Sequence, residues 1–536
     1  MLRNRTSPNH LKTVADLFII LQVCITFGSV GCARPPTPAK EKTVVTPLNV
    51  QTKSEIEELK SKGIPLGPAD IVNTLKKQVS QVRQSRSEKC ANFKASLPGD
   101  WFQSTAQLPE DPSQPLGRKI EVFYYGKLNA GTVPVVFFNG GPGSDSHGSY
   151  KSLTSKQQNR FDSKKLISWV FIDQRGTGCS SAYPEVKSKE DLQQPSAELL
   201  ARFSHYGSSE IVADAEAIRK SLIGNQPWVV FGQSYGGHIV HRYLLAAPKS
   251  VKSAFSHGYA VNDDGYDRTF NRIASQARIY QNYIKQFPED AARLKILKNE
   301  LKSNLCFVNQ YDTTEEFCGH EILESLAGEF LGFATDHYHL HEWIGAMTDD
   351  QSMDRAGLEL FLKAFLFSPG TSEPTEDNLI ERRSAQLMSK VLRLTDRNIA
   401  PMDGKTCHQI KNDLKSKNIF LDDAPLHECA GSLQLYDEQP SSQKNTHNKT
   451  KNPFSELTPD FLTVDRIKNA LMLNPDLQLH LYSGEWDAFV PVENFKAEVQ
   501  LLKSLQNFKY IHFNGTGHEG FISESKVWRD LVKAIQ

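Results

Sequence analysis

The sequence predicts an α/β protein in which a mostly parallel central sheet, flanked by helices, is interrupted by a large, mainly helical lid. Three observations predict it. Short apolar runs alternate with helix-period segments from Lys119 to Phe255, the pattern of a parallel sheet covered by helices. Gly232-Gln233-Ser234-Tyr235-Gly236, a Gly-x-Ser-x-Gly sequence, stands at a strand-to-helix junction. Strand signals then become scarce between Val261 and Phe461, after which the alternation resumes.

Asp70 to Arg86 carries Ile71, Leu75, Val79 and Val82 at helical spacing and predicts a packing helix ahead of the core. Lys119 to Tyr125 and Val133 to Phe138 are β-rich runs about Asn129-Ala130-Gly131, which predict a hairpin-like start to the sheet. Leu166 to Ile172 predicts another strand, and Glu210 to Leu222 a helix with Ile211, Ala215, Ile218 and Leu222 on one face. Trp228 to Phe231 reads as a buried strand, Gly237 to Ala246 as a helix and Val251 to Phe255 as a strand. Beyond the lid, strands are predicted at Leu477 to Tyr482 and Tyr510 to Phe513, with helices at Pro491 to Leu505 and Ser525 to Ile535. The polar stretch Asp437 to Pro453 reads as a loop closing the lid. The division is a signal peptide over 1–31, a tether over 32–60, core over 61–260, lid over 261–461 and core again over 462–536.

Apolar residues make up 39% and charged residues 23% of the 536, a globular composition rather than a disordered one. Lys plus Arg and Asp plus Glu both total 62, so the overall charge points to no nucleic acid or anionic membrane partner. The N-terminus has its own pattern: Arg3, Arg5 and Lys12 precede the apolar run Leu17 to Val30. That run is shorter than the roughly 20 residues of a spanning helix and ends in small residues, as a cleaved signal does. Ser29-Val30-Gly31-Cys32 resembles a bacterial lipobox, with Ser29 where Leu is usual. The expectation is an exported chain, periplasmic, outer-membrane or secreted, with lipidated Cys32 as a membrane anchor; a plain secretory signal and a retained anchor are the alternatives.

Six cysteines remain outside the signal and the lipobox: Cys90, Cys179, Cys306, Cys318, Cys407 and Cys429. An even number in an exported chain predicts disulfides, among about 15 connectivities that sequence alone leaves open. The sequence-local choice pairs Cys306 with Cys318 and Cys407 with Cys429, leaving Cys90 for Cys179. None is spaced as Cys-x-x-Cys, which removes support for a structural zinc site.

A nucleophile elbow needs Gly on both sides because the turn is tight, and it lifts the Ser hydroxyl above the sheet. Ser234 is therefore the expected nucleophile. Serine is a weak nucleophile near neutral pH and needs a base and an orienting carboxylate, which follow it in the order acid then His. Asp487, just beyond the strand Leu477 to Tyr482, is the expected acid, with Glu485 as competitor. His518, in Asn514-Gly515-Thr516-Gly517-His518, is the expected base; the competitor His512 falls within a strand. Asn139-Gly140-Gly141-Pro142-Gly143-Ser144 follows another strand and offers unobstructed N–H groups. With the N–H of Tyr235, that of Gly141 is the expected oxyanion hole.

These motifs resemble, in order, those of the prolyl aminopeptidase and tripeptidyl aminopeptidase family of α/β-hydrolase serine peptidases. Gly140-Gly141-Pro142-Gly143 resembles its oxyanion loop, Asp173-Gln174-Arg175-Gly176-Thr177-Gly178 its Asp-Gln-Arg-Gly loop, and Gly232-Gln233-Ser234-Tyr235-Gly236-Gly237 its elbow. The resemblance covers residues 115 to 257 and 465 to 536. It implies an α/β-hydrolase fold and cofactor-free hydrolysis of peptide substrates near a terminus, with no metal. The related serine carboxypeptidases typically have Glu where this chain has Gln233, and Pro where it has Arg175. Their polarity of cleavage, a non-peptidase esterase and an inert lipoprotein that binds through its lid are the competing readings.

Asn139, Gly140 and Gln233 are substrate-binding candidates, since the two amides could donate to a substrate carboxylate. Asp263 and Asp264, where the sheet passes into the lid, are weaker ones, and Asp173 and Arg175 read as braces. His337-x-His339-x-His341 could gather imidazoles on a strand or a helix, but the sequence singles out no carboxylate or Cys partner for it, and it reads as lid surface. The mature exported protein is expected to begin at Cys32 and to carry a diacylglycerol mass there; an unlipidated first residue elsewhere, found by intact-mass analysis, would reject the anchor.

Overall fold

The computed structural model describes residues 41–45, 85–160, 167–261, 265–301, 305–309, 316–319, 337–348, 351–362, 376–396, 460–518 and 524–536, with a few single positions between them. The expected signal peptide, Cys32, most of the helix expected at Asp70 to Arg86, Asp263, Asp264, Cys407, Cys429 and the loop Asp437 to Pro453 lie outside the described residues.

Eight strands form the main sheet: β1 (Phe102–Pro109), β2 (Lys119–Lys127), β3 (Val135–Phe138), β4 (Trp169–Ile172), β5 (Trp228–Gln233), β6 (Val251–His257), β7 (Gln478–Gly484) and β8 (Phe508–Phe513). Their order is β8-β7-β6-β5-β3-β4-β2-β1. All neighbours from β4 to β8 pair in parallel, while β2 is antiparallel to β1 and β4. Every residue of β3, β4 and β5 is buried, as expected where helices cover both faces.

One apolar cluster joins one face of the sheet to α3 (Ser208–Ile223), α4 (Tyr235–Ala246) and α9 (Val464–Leu473) through residues such as Ile211, Ile239 and Ile467. The other joins the opposite face to α1 (Arg86–Ser96), α2 (His147–Arg160) and α10 (Ser525–Ile535) through Phe93, Leu153 and Trp528. In α10, buried Val527, Trp528, Leu531 and Ile535 recur at helical spacing. Ser85 caps α1 in a reciprocal capping box with Glu88.

Between β6 and β7 the described chain is mainly helical, with α5 (Gly265–Gln286), α6 (Asp290–Glu300), α7 (His337–Ala346) and α8 (Glu376–Thr395). Three corrections to the sequence reading follow. The runs about Asn129-Ala130-Gly131 do not pair as a hairpin, because β4 lies between β2 and β3 and hydrogen-bonds both. The edge strand β1, with only Phe102, Ala106 and Leu108 packed against the core, carries too weak an alternation to announce itself. The expected tether contributes Glu41–Val45 in parallel to Leu305–Asn309, which pairs with Glu316–Cys318 inside the expected helical lid. These short strands are held by non-local partners and by the Cys306–Cys318 disulfide at one register position. A second disulfide joins Cys90 to Cys179.

Candidate active site

Ser234 stands between β5 and α4 with φ 56°, the only non-Gly residue with positive φ among the described residues. Holding a residue there costs of order 1–3 kcal/mol and persists where surrounding contacts over-determine it. Here the Ser234 N–H donates to the His257 carbonyl at 2.8 Å, and the Ser234 carbonyl accepts from Gly237 N at 2.8 Å. A Cβ on Gly232 would stand 2.1 Å from the Gly236 oxygen, and one on Gly236 2.0 Å from the Phe138 oxygen. Both glycines of the motif are thus steric requirements.

Asp487 and His518 meet directly, Nδ1 of the ring lying 2.7 Å from Oδ2 of the carboxylate. Asp487 is fully buried, and its Oδ1 accepts from Phe489 N at 2.9 Å and Val490 N at 2.8 Å. These three bonds fix the carboxylate and hold the His518 ring by its Nδ1. His518 is itself almost buried, with the Phe489 ring 5.1 Å away, and its carbonyl accepts from Gln233 Nε2 at 3.1 Å. The competitors serve the scaffold: Glu485 Oε2 accepts from Gly515 N at 2.8 Å, and His512 Nδ1 lies 3.0 Å from Ser483 Oγ.

The loop after β3 lies against Ser234: a Cβ on Gly140 would stand 3.1 Å from Ser234 Cβ and 3.7 Å from its Oγ. Gly141, with φ 110°, adopts a conformation that favours glycine. Of the substrate-binding candidates, Gly140 borders Ser234, whereas the two amides are engaged internally. Asn139 donates to the Asp145 carbonyl and accepts from Ser149 Oγ at 2.7 Å, and Gln233 holds the His518 turn. Tyr235 N begins α4 beside Ser234, and its hydroxyl donates to Asp396 Oδ2 at 2.6 Å.

Asp173 and Arg175 brace these loops. Asp173, fully buried, accepts from Ser146 N at 3.0 Å, Ser146 Oγ at 2.7 Å and Cys179 N at 2.8 Å, and lies 2.8 Å from His147 Nε2. Burial opposes charge on both members of this pair. Their attraction outweighs it, holding His147 above and Asp173 below the ordinary ranges. Arg175 grips Asp214 with two bonds, at 2.8 and 2.7 Å, and donates to the Glu110 carbonyl at 2.7 Å. His147, Asp173 and Cys179 are the three metal-type ligands that converge among the described residues, but Cys179 is spent in its disulfide. His337 and His341 sit on α7 and correct the lid-surface reading: His337 is buried and meets the Trp486 ring, and His341 Nδ1 lies 3.0 Å from the Asp290 carboxylate.

Sequence reasoning missed His257 and Gly258. His257 ends β6 in register with Gln233 and Tyr482. Its fully buried imidazole is pushed down to about 3, chiefly by burial, with Asp487 opposing and His518 reinforcing the shift. Only its place at the C-terminal end of a predicted core strand could have flagged it.

Residues 133–294 match the family model described as the alpha/beta hydrolase fold. The chain has the α/β-hydrolase fold. Its curated relatives include the proline iminopeptidase aneH of Aspergillus aculeatus, 33% identical over 157 residues, which are 27% of this chain and 34% of that protein. The proline iminopeptidase of Aeromonas sobria is 31% identical over 142 residues, 25% of this chain and 31% of that protein. That of Neisseria gonorrhoeae is 25% identical over 167 residues, 31% of this chain and 46% of that protein. The chain thus spans about a third to a half of the length of the curated relatives it matches. The resemblance to the prolyl aminopeptidases read from the motifs rests on these relatives as well.

Two outcomes are expected from this geometry. Asp487→Asn should keep the fold and lower kcat on a chromogenic ester by about 10⁴-fold, by giving His518 the wrong tautomer, whereas Glu485→Gln should stay within about tenfold of wild type because its carboxylate reaches Gly515 rather than the ring. The reverse ranking would reject Asp487 as the acid. His257 predicts an acid limb of stability. Its folded form is neutral while the unfolded imidazole takes up a proton near pH 6.5, so its contribution is complete above about 6.5 and lost as pH falls toward about 3. Up to about 5 kcal/mol is at stake at about 1.4 kcal/mol per unit. Urea unfolding of His257→Gln should lose less stability than wild type between pH 7 and pH 4, and equal losses would refute this.

Proposed function

We propose that the chain is an exported serine exopeptidase that cleaves peptides from the N-terminal end, with Ser234, Asp487 and His518 as its triad. Ser234 Oγ attacks the scissile carbonyl as His518 takes its proton. The tetrahedral oxyanion is held by the N–H groups of Tyr235 and Gly141, and the proton passes to the departing amine as the C–N bond breaks. Water, activated by His518, then releases the acyl group from Ser234. Asp487 orients His518 throughout. No metal or cofactor is required by this sequence of steps.

The observation that carries the reading is the buried 2.7 Å contact between Asp487 and His518 beside a strained, Gly-lined Ser234. Peptide substrates and N-terminal polarity are supported by the relatives named proline iminopeptidase. The internal engagement of Asn139 and Gln233 weighs against their use on a substrate carboxylate, as a carboxypeptidase would need. Export is supported by the two disulfides, which persist in oxidising compartments. Among the described residues no helix is long and apolar enough to cross a membrane, and the attachment we propose is the lipidated Cys32.

The test compares a free-ended peptide with its N-acetylated and C-amidated forms, read by mass spectrometry. Acetylation should abolish cleavage by removing the ammonium, and amidation should change the rate little. Loss of cleavage on amidation alone would make the enzyme a carboxypeptidase. Indifference to both, with fast turnover of simple esters, would overturn the peptidase reading.

A further inference from the structure

The backbone at His257 and Gly258 touches all three residues of the proposed triad. The His257 carbonyl accepts the Ser234 N–H at 2.8 Å, and Gly258 N donates to the Tyr482 carbonyl on the neighbouring strand at 3.2 Å. A Cβ on Gly258 would stand 2.9 Å from Cε1 and 3.0 Å from Nδ1 of His518, and 3.4 Å from Asp487 Oδ2. The first two separations are shorter than, or at the limit of, what carbon atoms tolerate, so the ring lies flush against the bare Cα.

Conformation alone would also ask for glycine here, since Gly258 has φ 62°. Gly224 separates the two demands: its φ is 64°, and an added Cβ there meets nothing within 4 Å. Gly258 therefore carries a second constraint that Gly224 lacks, clearance for the His518 ring. The ring has little room to yield. Asp487 is fully buried and pinned by Phe489 N and Val490 N, the Phe489 ring is 5.1 Å away, and Gln233 holds the His518 carbonyl.

We infer that Gly258 is a positioning residue for the catalytic histidine: its missing side chain sets where the His518 ring sits between Asp487 and Ser234. The inference rests on the triad reading above. It predicts that a single methyl group at position 258 moves the ring without touching substrate, which separates it from a substrate-binding role.

The experiment measures the rate of fluorophosphonate labelling against pH, and the melting temperature, for Gly258→Ala, Gly224→Ala and each combined with His518→Ala. Misplacement of a catalytic group by about 1 Å costs about 10²-fold. Gly258→Ala should label about 100-fold more slowly than wild type with a displaced pH profile, while Gly224→Ala labels as wild type does. In the His518→Ala background the ring is gone, so the melting penalty of the methyl at 258 should shrink, while that at 224 should not change. If Gly258→Ala does not fold alone, folding of the Gly258→Ala, His518→Ala double variant is the expected result. Labelling of Gly258→Ala at the Gly224→Ala rate, an undiminished penalty in the His518→Ala background, or failure of the double variant to fold would each overturn the inference. A folded Ser234→Ala that still labels at the wild-type rate would instead remove the triad reading beneath it.

Discussion

The site depends on an approach of backbone to backbone. Gly236, in the first turn of α4, lies against the carbonyl of Phe138 at the end of β3, so closely that a Cβ would stand 2.0 Å from that oxygen. Gly237 leaves as little room, with Ser256 Oγ and Tyr259 Cβ each 2.7 Å from where its Cβ would be. Helix α4 thus sits nearer to the sheet than side chains permit, and the chain joining it to β5 must turn within one residue. Ser234 is that residue. Its positive φ is the consequence of the helix position, and the same proximity brings Gly140 to its Cβ. The N-terminus of a helix favours negative charge, so the contact that strains Ser234 also aims a favourable field at an oxyanion beside it.

Loops at the C-terminal ends of parallel strands leave many backbone polar groups to be satisfied without a ladder. Buried side chains do this here. Asp173 takes donors from Ser146 and Cys179, Arg86 donates to the carbonyls of Gly176 and Ser180 at 2.9 and 2.8 Å, and Cys90–Cys179 binds the same loop to α1. Arg175 and Asp214 form a buried pair beneath it. Removing one member of such a pair typically costs about 3–5 kcal/mol because the other is left charged and buried. The Asp-Gln-Arg-Gly segment is therefore a frame for the loops beside Ser234.

What was legible in the sequence was what local residues determine. The runs at β3, β4 and β5 are apolar because both faces of the sheet are covered, and the elbow glycines are dictated by contacts within four residues of each other or with the adjacent strand. Asp487 and His518 were legible as candidates because each follows a core strand by a few residues. Adjacency of strands was harder. Whether Val135–Phe138 pairs with Lys119–Lys127 or with Trp169–Ile172 depends on a crossover that composition does not encode. Glu41–Val45 finds its partner at Leu305–Asn309, more than 250 residues away, and no periodicity reports such a match. Asp173 was legible as a brace, but its partners were not, and neither was the close packing at Gly258: both are defined by atoms from several loops, which only the folded chain assembles.

The helical insertion is attached differently from Ser234, Asp487 and His518. It grips the elbow side through side chains: Asp396 accepts from the Tyr235 hydroxyl and from Ser208 N, and Ser384 Oγ accepts from Val186 N. It grips the acid side likewise, with Arg278 donating to the Glu485 carbonyl at 3.2 Å, Asn271 to Asn494 Oδ1 at 2.9 Å, and His337 against Trp486. Ser234, Asp487 and His518, by contrast, are held mainly by main-chain groups at His257, Phe489 and Val490 and by the glycines packed around them, with the Gln233 amide as the side-chain exception. Side-chain attachments can be exchanged by substitution, whereas main-chain ones change only if the fold does. Substitution can therefore alter how the insertion sits on the core while the main-chain geometry around Ser234, Asp487 and His518 stays the same.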